Sequence, residues 1–317
     1  MRNIFLITLA FFILLLGSCK HKMDEIPETN PTTIIGFNQN WSFLPAMNQK
    51  MLSNISMLKP EMIRYPGGTV THNWDWMTGI KIGGSSSVSH PVSDIKTLVD
   101  ATHVKVIFDL DILTRTVDDQ ILMLTTIQNL GIPIEYIELG NELYANDTSY
   151  IATFPTGAEY AEKASLWTKK IKEKFPKVKV AALLQSRTSS ANNPRLSQWN
   201  SLVVSGSISF VDAYTYHVYI PPTGTYTSRI NEFETVLRNT PTEDKELWIT
   251  EYGIQQPDTT PGYYGTLDSL ASFIEKYPKV TIALNHNIIG LAMNKLTSDG
   301  SDFTQEGQLF LLRARDR

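Results

Sequence analysis

Residues 132–144 read IPIEYIELGNELY, an apolar run that carries three glutamates, Glu135, Glu138 and Glu142. An ionised carboxylate away from water is costly unless it is paired, so a buried strand seldom holds even one. Alternation along a strand puts Glu138 and Glu142 on one face and Glu135 on the other. Glu135 opens the segment and is expected on the outer side, paired or solvated. Glu138 faces inward and needs a partner, for which Arg64 or a lysine are the candidates. Glu142 follows Gly140 and Asn141, past the end of the strand, where a ligand can reach it.

The segment Ile134–Leu139 is one of eight short β-rich runs. The others are Ile34–Phe37, Met62–Tyr65, Val104–Leu110, Val178–Leu183, Ser209–Tyr216, Leu247–Thr250 and Val280–Leu284. Helical spacing separates them at Ala46–Leu58, Ser93–Ala101, Asp118–Leu130, Tyr160–Phe175, Arg195–Val204, Ser228–Arg238 and Leu267–Tyr277, with a last helix expected after Phe303. Thr156 and Glu159 have the spacing of a capping box, and Gly131 that of a helix C-cap. Strands alternating with helices predict parallel βαβ units. A doubly wound open sheet shares this texture, but eight repeats within about 280 residues favour one α/β domain, a (β/α)8 TIM barrel over 34–317. No internal sequence repeat and no second domain is visible.

The chain has 317 residues, 42% hydrophobic and 19% charged, with a net charge of -4. Nothing in that balance suggests nucleic acid, which shows as a basic patch, and no polybasic membrane-surface segment occurs. Arg2 followed by the apolar stretch Ile4–Leu16 has signal-peptide form and is short for a membrane span. It leads into Leu16-Gly17-Ser18-Cys19, which resembles a bacterial lipobox with Cys19 as the lipidated residue. Residues 1–18 are therefore expected as a lipoprotein signal and 19–33 as a polar tether, so that the protein is exported and held to a membrane by a lipid anchor. An ordinary secretory signal is the alternative. Cys19 is the only cysteine, so no intramolecular disulfide can form.

In such barrels chemistry sits at the C-terminal ends of strands and in the loops beyond. Those positions here hold Asn38, Arg64, Asn141, Glu142, His217 and Glu251. The long loop from Pro66 to Val92 adds Gly67, Gly68, His72, Trp74, Asp75 and Trp76; a loop of that length is usually functional or disordered, and its aromatics and glycines argue against disorder. Asp109 and Asp111 share a face at the end of the third strand, so that one of them can line the pocket. Asn285-His286-Asn287 near the eighth strand is a further candidate. No His-Glu-x-x-His spacing, Gly-x-Ser-x-Gly elbow or phosphate loop occurs, so neither metal nor cofactor is expected. Glu142 and Glu251 end strands on opposite sides of the barrel mouth. Two carboxyls flanking a bond are what glycoside hydrolysis commonly uses.

Four stretches carry a family resemblance. Ile137-Glu138-Leu139-Gly140-Asn141-Glu142 and Trp248-Ile249-Thr250-Glu251-Tyr252-Gly253 resemble the strand-four and strand-seven ends of glycoside hydrolase clan A. Arg64-Tyr65-Pro66-Gly67-Gly68 and the segment from Phe210 to Tyr219 resemble elements of its arabinofuranosidase-like and heparanase-like branches. The resemblance spans Gly36 to Asn287. It implies a retaining mechanism with Glu142 as acid/base and Glu251 as nucleophile. It further implies that Arg64 holds Glu251 ionised, that Asn141 bonds a sugar hydroxyl, and that His217 and Tyr219 contact the nucleophile or the sugar. Asn38 and Asp109 are expected as further substrate ligands. Trp74 and Trp76 are expected either to stack on sugar rings or to pack beneath the long loop. Related branches carry a β-sandwich beside the barrel, which is not expected here, and no tryptophan lies near the eighth strand. The expected partner is a poly- or oligosaccharide; oligomeric state is not legible. A glycan-binding lipoprotein on the same barrel is the alternative, although a binder has no need of both glutamates. A metal-dependent hydrolase is a third reading.

Overall fold

The computed structural model describes residues 33–84, 88–189, 192–221, 224–255 and 262–286. All eight apolar runs form strands: β1 (Ile34–Asn38), β2 (Met62–Tyr65), β3 (Lys105–Leu110), β4 (Tyr136–Leu139), β5 (Lys179–Leu183), β6 (Ala213–Ile220), β7 (Glu246–Ile254) and β8 (Val280–His286). They pair in parallel in chain order, and β8 pairs with β1 to close the barrel, which removes every free edge of the sheet. Helices α1 (Gln49–Leu58), α2 (Val92–Thr102), α3 (Val117–Asn129), α4 (Thr148–Thr153), α5 (Gly157–Lys174), α6 (Pro194–Ser207), α7 (Tyr226–Asn239) and α8 (Tyr263–Lys276) fill the crossovers. No helix among the described residues is long and apolar enough to cross a membrane. The expected signal and tether, the helix after Phe303 and Asn287 lie outside the described residues.

Local chemistry accounts for the helix ends. The Thr156 side chain accepts from the start of α5 while Glu159 accepts from the Thr156 N–H at 2.9 Å, the reciprocal box read from the sequence. Helix α4 was not anticipated. Asp147 starts it by accepting from the Ser149 N–H at 2.8 Å, and one and a half turns hold too few residues to show a period.

Inside the barrel the strands build two layers. Met62, Ile107, Ala181, Ala213, Trp248, Ile282 and Leu284 form an apolar cluster. Two residues further along β2, β3 and β7, on the same face, come Arg64, Asp109 and Thr250, joined from β4 by Glu138. All four of these polar side chains are buried. Apolar packing beneath thus excludes water from an ionic layer just under the mouth.

Two strands run further than the sequence pattern suggests. β6 continues through His217 to Ile220 and β7 through Glu251 to Ile254, paired to their ends. The polar residues that break the apolar runs are buried and face one another, His217 Nδ1 lying 3.5 Å from Glu251 Oε2. The ladder therefore has no reason to stop there.

Candidate active site

Arg64 is the hub. Its guanidinium is fully covered and meets three carboxylates: Glu138 Oε2 at 2.6 Å, Glu251 Oε1 at 2.7 Å and Asp109 Oδ2 at 2.7 Å. Nη2 also donates to Asn141 Oδ1 at 3.0 Å and Nη1 to Asn38 Oδ1 at 3.4 Å. Burial alone would weaken the hold of Arg64 on its proton, but the three surrounding acids outweigh it and raise its pKa. Glu138, the inward acid of the opening stretch, completes its bonding by accepting from Thr250 Oγ1 at 2.9 Å. Glu135 is half-exposed on the outside, 3.6 Å from Lys105.

Asp109 corrects an expectation. Its side chain is wholly covered and turned to Arg64 and to Thr71, which donates to Oδ2 at 2.6 Å, so it supports Arg64 instead of facing a substrate. Its Oδ1 has no hydrogen-bond partner. Burial raises the Asp109 pKa from 3.8 to about 7, against the Arg64 charge and with help from Glu138. A carboxyl raised in the folded state contributes stability that is complete below its unfolded value and is lost as pH rises through the folded one. Asp109→Asn, which cannot ionise, is expected to flatten the decline of the denaturant midpoint between those two pH values. An unchanged slope would show that Asp109 is not its source.

Glu251 is buried beside cations and donors. Besides Arg64 it accepts from the Tyr219 hydroxyl at 2.8 Å and lies 3.5 Å from His217 Nδ1. Burial by itself would raise its pKa. The charges of His217, His286 and Arg64, with the Tyr219 bond, reverse that and bring it from 4.5 down to about 2. A register shift between Tyr216 and His217 on β6 sets His217 opposite Glu251.

Glu142 has a different setting. Its side chain is 37% exposed, against 7% for Glu251. Both of its donors bond to Oε1, His217 Nδ1 at 2.9 Å and the Tyr144 hydroxyl at 3.2 Å. The backbone of Glu142 is left-handed, φ 46°, following Gly140 at φ 90°. A residue with a side chain stays in that region only when its surroundings hold it. Here the Asn141 carbonyl is tied to His72 Nε2 at 2.7 Å, and the Glu142 carbonyl accepts from the Ala145 N–H at 2.8 Å. A Cβ on Gly140 would strain the backbone at φ 90° and would meet the Leu143 side chain at 2.7 Å, so glycine is favoured at this turn.

The structure brings together Asn38, Arg64, Asp109, Asn141, Glu142, His217, Tyr219 and Glu251, as well as His286, whose Nδ1 is 2.7 Å from Asn38 Nδ2. It does not bring Trp74 and Trp76 there. Both are buried under the long loop, Trp74 Nε1 donating to the Tyr65 hydroxyl at 3.0 Å and Trp76 Nε1 to Asp119 at 3.4 Å. Neither offers a ring face to a sugar. The long loop instead brings to the site its backbone at Gly68, where a Cβ would lie 3.9 Å from Glu251 Oε1, and the side chains of Thr71 and His72. Asp111 accepts from the Leu113 and Thr114 N–H groups and shapes its own turn. Sequence reasoning missed Tyr144, two residues beyond Glu142, and a cleft of about 130 Å³ lined by Glu142, Tyr144, Gln185, Arg187, Tyr219 and Gln255 among others. The signal for Tyr144 was its position beside the acid; the loop residues gave none.

One ligand atom each from Glu142, His217 and Glu251 lie within 4.8 Å of one another, a spacing that a divalent cation can bridge. Against that, Arg64 already neutralises Glu251, and each Glu251 oxygen has a donor within hydrogen-bond distance.

No known family's sequence profile matches the chain, and no curated protein matches it. Solved structures do. An α-L-arabinofuranosidase from Thermotoga maritima, in complex with arabinose, aligns at 14% identity and TM-score 0.65, over 89% of this chain and 70% of that one. A family 51 α-L-arabinofuranosidase from Bifidobacterium longum aligns at 14% identity and TM-score 0.64, over 81% and 67%. A fungal β-1,4-galactanase aligns at 13% identity and TM-score 0.58, over 88% and 99%. Likeness at such identities is likeness of fold: this chain has the (β/α)8 barrel found in the glycoside hydrolases of clan A.

Proposed function

We propose that the protein is a retaining glycoside hydrolase acting on O-glycosidic bonds of a poly- or oligosaccharide. The observation that carries this reading is the contrast between two neighbouring carboxyls. Glu251 is buried among cations that keep it ionised, while Glu142 stands at the opening with Oε2 free of the donors that bind Oε1. Their nearest oxygens lie within 4.8 Å, which supports the retaining arrangement, with carboxyls about 5–5.5 Å apart, over the inverting one at about 6.5–9.5 Å.

Each residue then has one task. Glu251 attacks the anomeric carbon as Glu142 Oε2 gives its proton to the glycosidic oxygen. The carbon–oxygen bond breaks, the alcohol leaves, and a glycosyl ester remains on Glu251. Glu142, now a carboxylate, takes a proton from the water that attacks this ester, and the sugar leaves with its configuration retained. His217 and Tyr144 steady the Glu142 carboxylate between the two steps through their bonds to Oε1. Arg64 and Tyr219 hold Glu251 in line. With its Oδ1 on Arg64, Asn141 has its amide N–H groups for the sugar hydroxyl beside the reacting carbon.

A panel of 4-nitrophenyl glycosides, with the first-formed anomer read by proton NMR, tests the proposal. Hydrolysis with retention is expected. No turnover on any sugar would leave the glycan-binding reading in its place. The cluster of Glu142, His217 and Glu251 makes a metal-dependent hydrolase the second reading. EDTA treatment followed by desalting is expected to leave the rate unchanged; a loss restored by a divalent cation would favour the metal. We place the enzyme outside the cytoplasm, anchored by a lipid on Cys19. Cys19→Ser is expected to move it from the membrane to the soluble fraction of the cells that make it.

A further inference from the structure

Arg187 lies on the loop after β5, exposed, at the edge of the cleft that Glu142 and Tyr144 line. Its neighbour Arg229, on α7, is buried and has a structural task. Arg229 ties the loop to β6 by donating to the Ser186 carbonyl at 2.8 Å, to Ser186 Oγ at 2.6 Å and to the Tyr219 carbonyl at 2.9 Å. It has an acid partner, Glu232, at 3.4 Å. Arg187 has none: among the described residues no carboxylate lies within 4.0 Å of its guanidinium, and its one hydrogen bond in the site is from Nη2 to the Tyr219 carbonyl at 3.3 Å.

The Arg187 charge acts on Arg229 unfavourably in the empty protein, and the one acid nearby, Glu232, pairs with Arg229. Burial, then the Arg187 charge, brings the Arg229 pKa down to about 10. The cleft contains Glu142 but not Glu251, so in the mechanism above it receives the group that departs with the glycosidic oxygen. Gln185 and Gln255 supply neutral amides beside Arg187, and among the described residues Glu142 is the only acid in its lining. A guanidinium with most of its N–H fork open is suited to bidentate bonding with a carboxylate or sulfate.

We propose that Arg187 selects glycans bearing an anionic group, a carboxylate or a sulfate ester, on the sugar at the leaving-group side of the scissile bond. This rests on the hydrolase reading above. The test uses the sugar that the panel identifies, joined to 4-carboxyphenyl, 4-sulfophenyl and 4-carbamoylphenyl aglycones. For each, kcat/KM is measured with the wild type and with Arg187→Gln. The ratio between the two enzymes cancels the intrinsic reactivity of each leaving group. The anionic aglycones are expected to lose about fivefold more than the neutral one, and the difference to shrink as salt is raised. The carboxylate and sulfonate arms separate the two anions. Equal losses on all three aglycones, with hydrolysis intact, overturn the role of Arg187 and leave the hydrolase reading standing. Should the wild type hydrolyse nothing, affinity electrophoresis reads the same contact. Retardation by polygalacturonate or chondroitin sulfate that Arg187→Gln abolishes supports it. Equal mobility of the two proteins in those gels and in neutral galactan sinks it.

Discussion

Glu251→Ala is expected to lower kcat by roughly 10⁴-fold or more on any glycoside that the wild type hydrolyses, because the covalent step loses its nucleophile. The fold should survive. Arg64 keeps Glu138 and Asp109 as counter-ions, and an unchanged circular dichroism spectrum would check this. The vacated space still faces Arg64, His217 and the Tyr219 hydroxyl, a setting that attracts a small anion. Azide should therefore restore turnover on an activated aryl glycoside and yield a glycosyl azide of configuration opposite to the substrate. Glu142→Ala should behave differently. Azide would then intercept the glycosyl ester on Glu251 and give a product of retained configuration. A Glu251 variant that kept its rate, or gave the retained azide, would assign the roles the other way or remove them. The acid side of the profile adds a check. Glu251 falls from 4.5 to about 2 on folding. Its contribution to stability is present above 4.5 and lost as pH falls through 2, so acid should reach this group only when the fold itself is failing.

Glu138 and Glu142 show how far one strand can be read without a structure. The period of two assigns their common face, and the glycine after Leu139 marks where the strand ends. What the period cannot give is the partner. Arg64 is separated from Glu138 by 74 positions and from Glu251 by 187, and only the closing of the barrel decides which acids share it. The same limit explains the rest. Asp109 and a substrate ligand have identical sequence signatures, and the difference is a Thr71 hydroxyl and an Arg64 guanidinium that cover it. Trp74 and Trp76 sit in a loop long enough to be functional, yet that loop folds over the barrel as a 3-10 turn, Gly68–Asn73, and a short hairpin that need an apolar underside. The ends of β6 and β7 were hidden because His217 and Glu251 look like strand terminators until their bonds to each other are known.

Arg64→Met puts the central ionic layer to a direct test. The side chain is of similar length and apolar, so packing is largely kept while the charge and the fork of donors are removed. Asp109, Glu138 and Glu251 then face one another in a water-excluded layer, with histidines His72, His217 and His286 in place of a permanent cation. Breaking a buried ion pair by deleting one partner costs about 3–5 kcal/mol, which for a domain of this size corresponds to a fall in Tm of about 10 °C. The pH dependence separates charge from packing. Without Arg64, Asp109 rises further above 3.8, since the larger of the two charges that opposed its burial, Arg64 ahead of His72, is gone. A raised folded-state pKa means stability that is present at low pH and lost as pH rises. The deficit of Arg64→Met should thus be larger at about pH 8 than at about pH 5, and thermal unfolding at the two values measures it. A deficit equal at both would mean that the layer is held by shape and not by charge. Arg64→Lys discriminates further: a single ammonium keeps the charge but carries its donors on one nitrogen, and cannot span three acids that Nε, Nη1 and Nη2 each meet at 2.6–2.7 Å. It should recover the pH dependence of the wild type while regaining only part of its Tm, because neutralising the layer and orienting Glu251 are separate tasks that the guanidinium performs together.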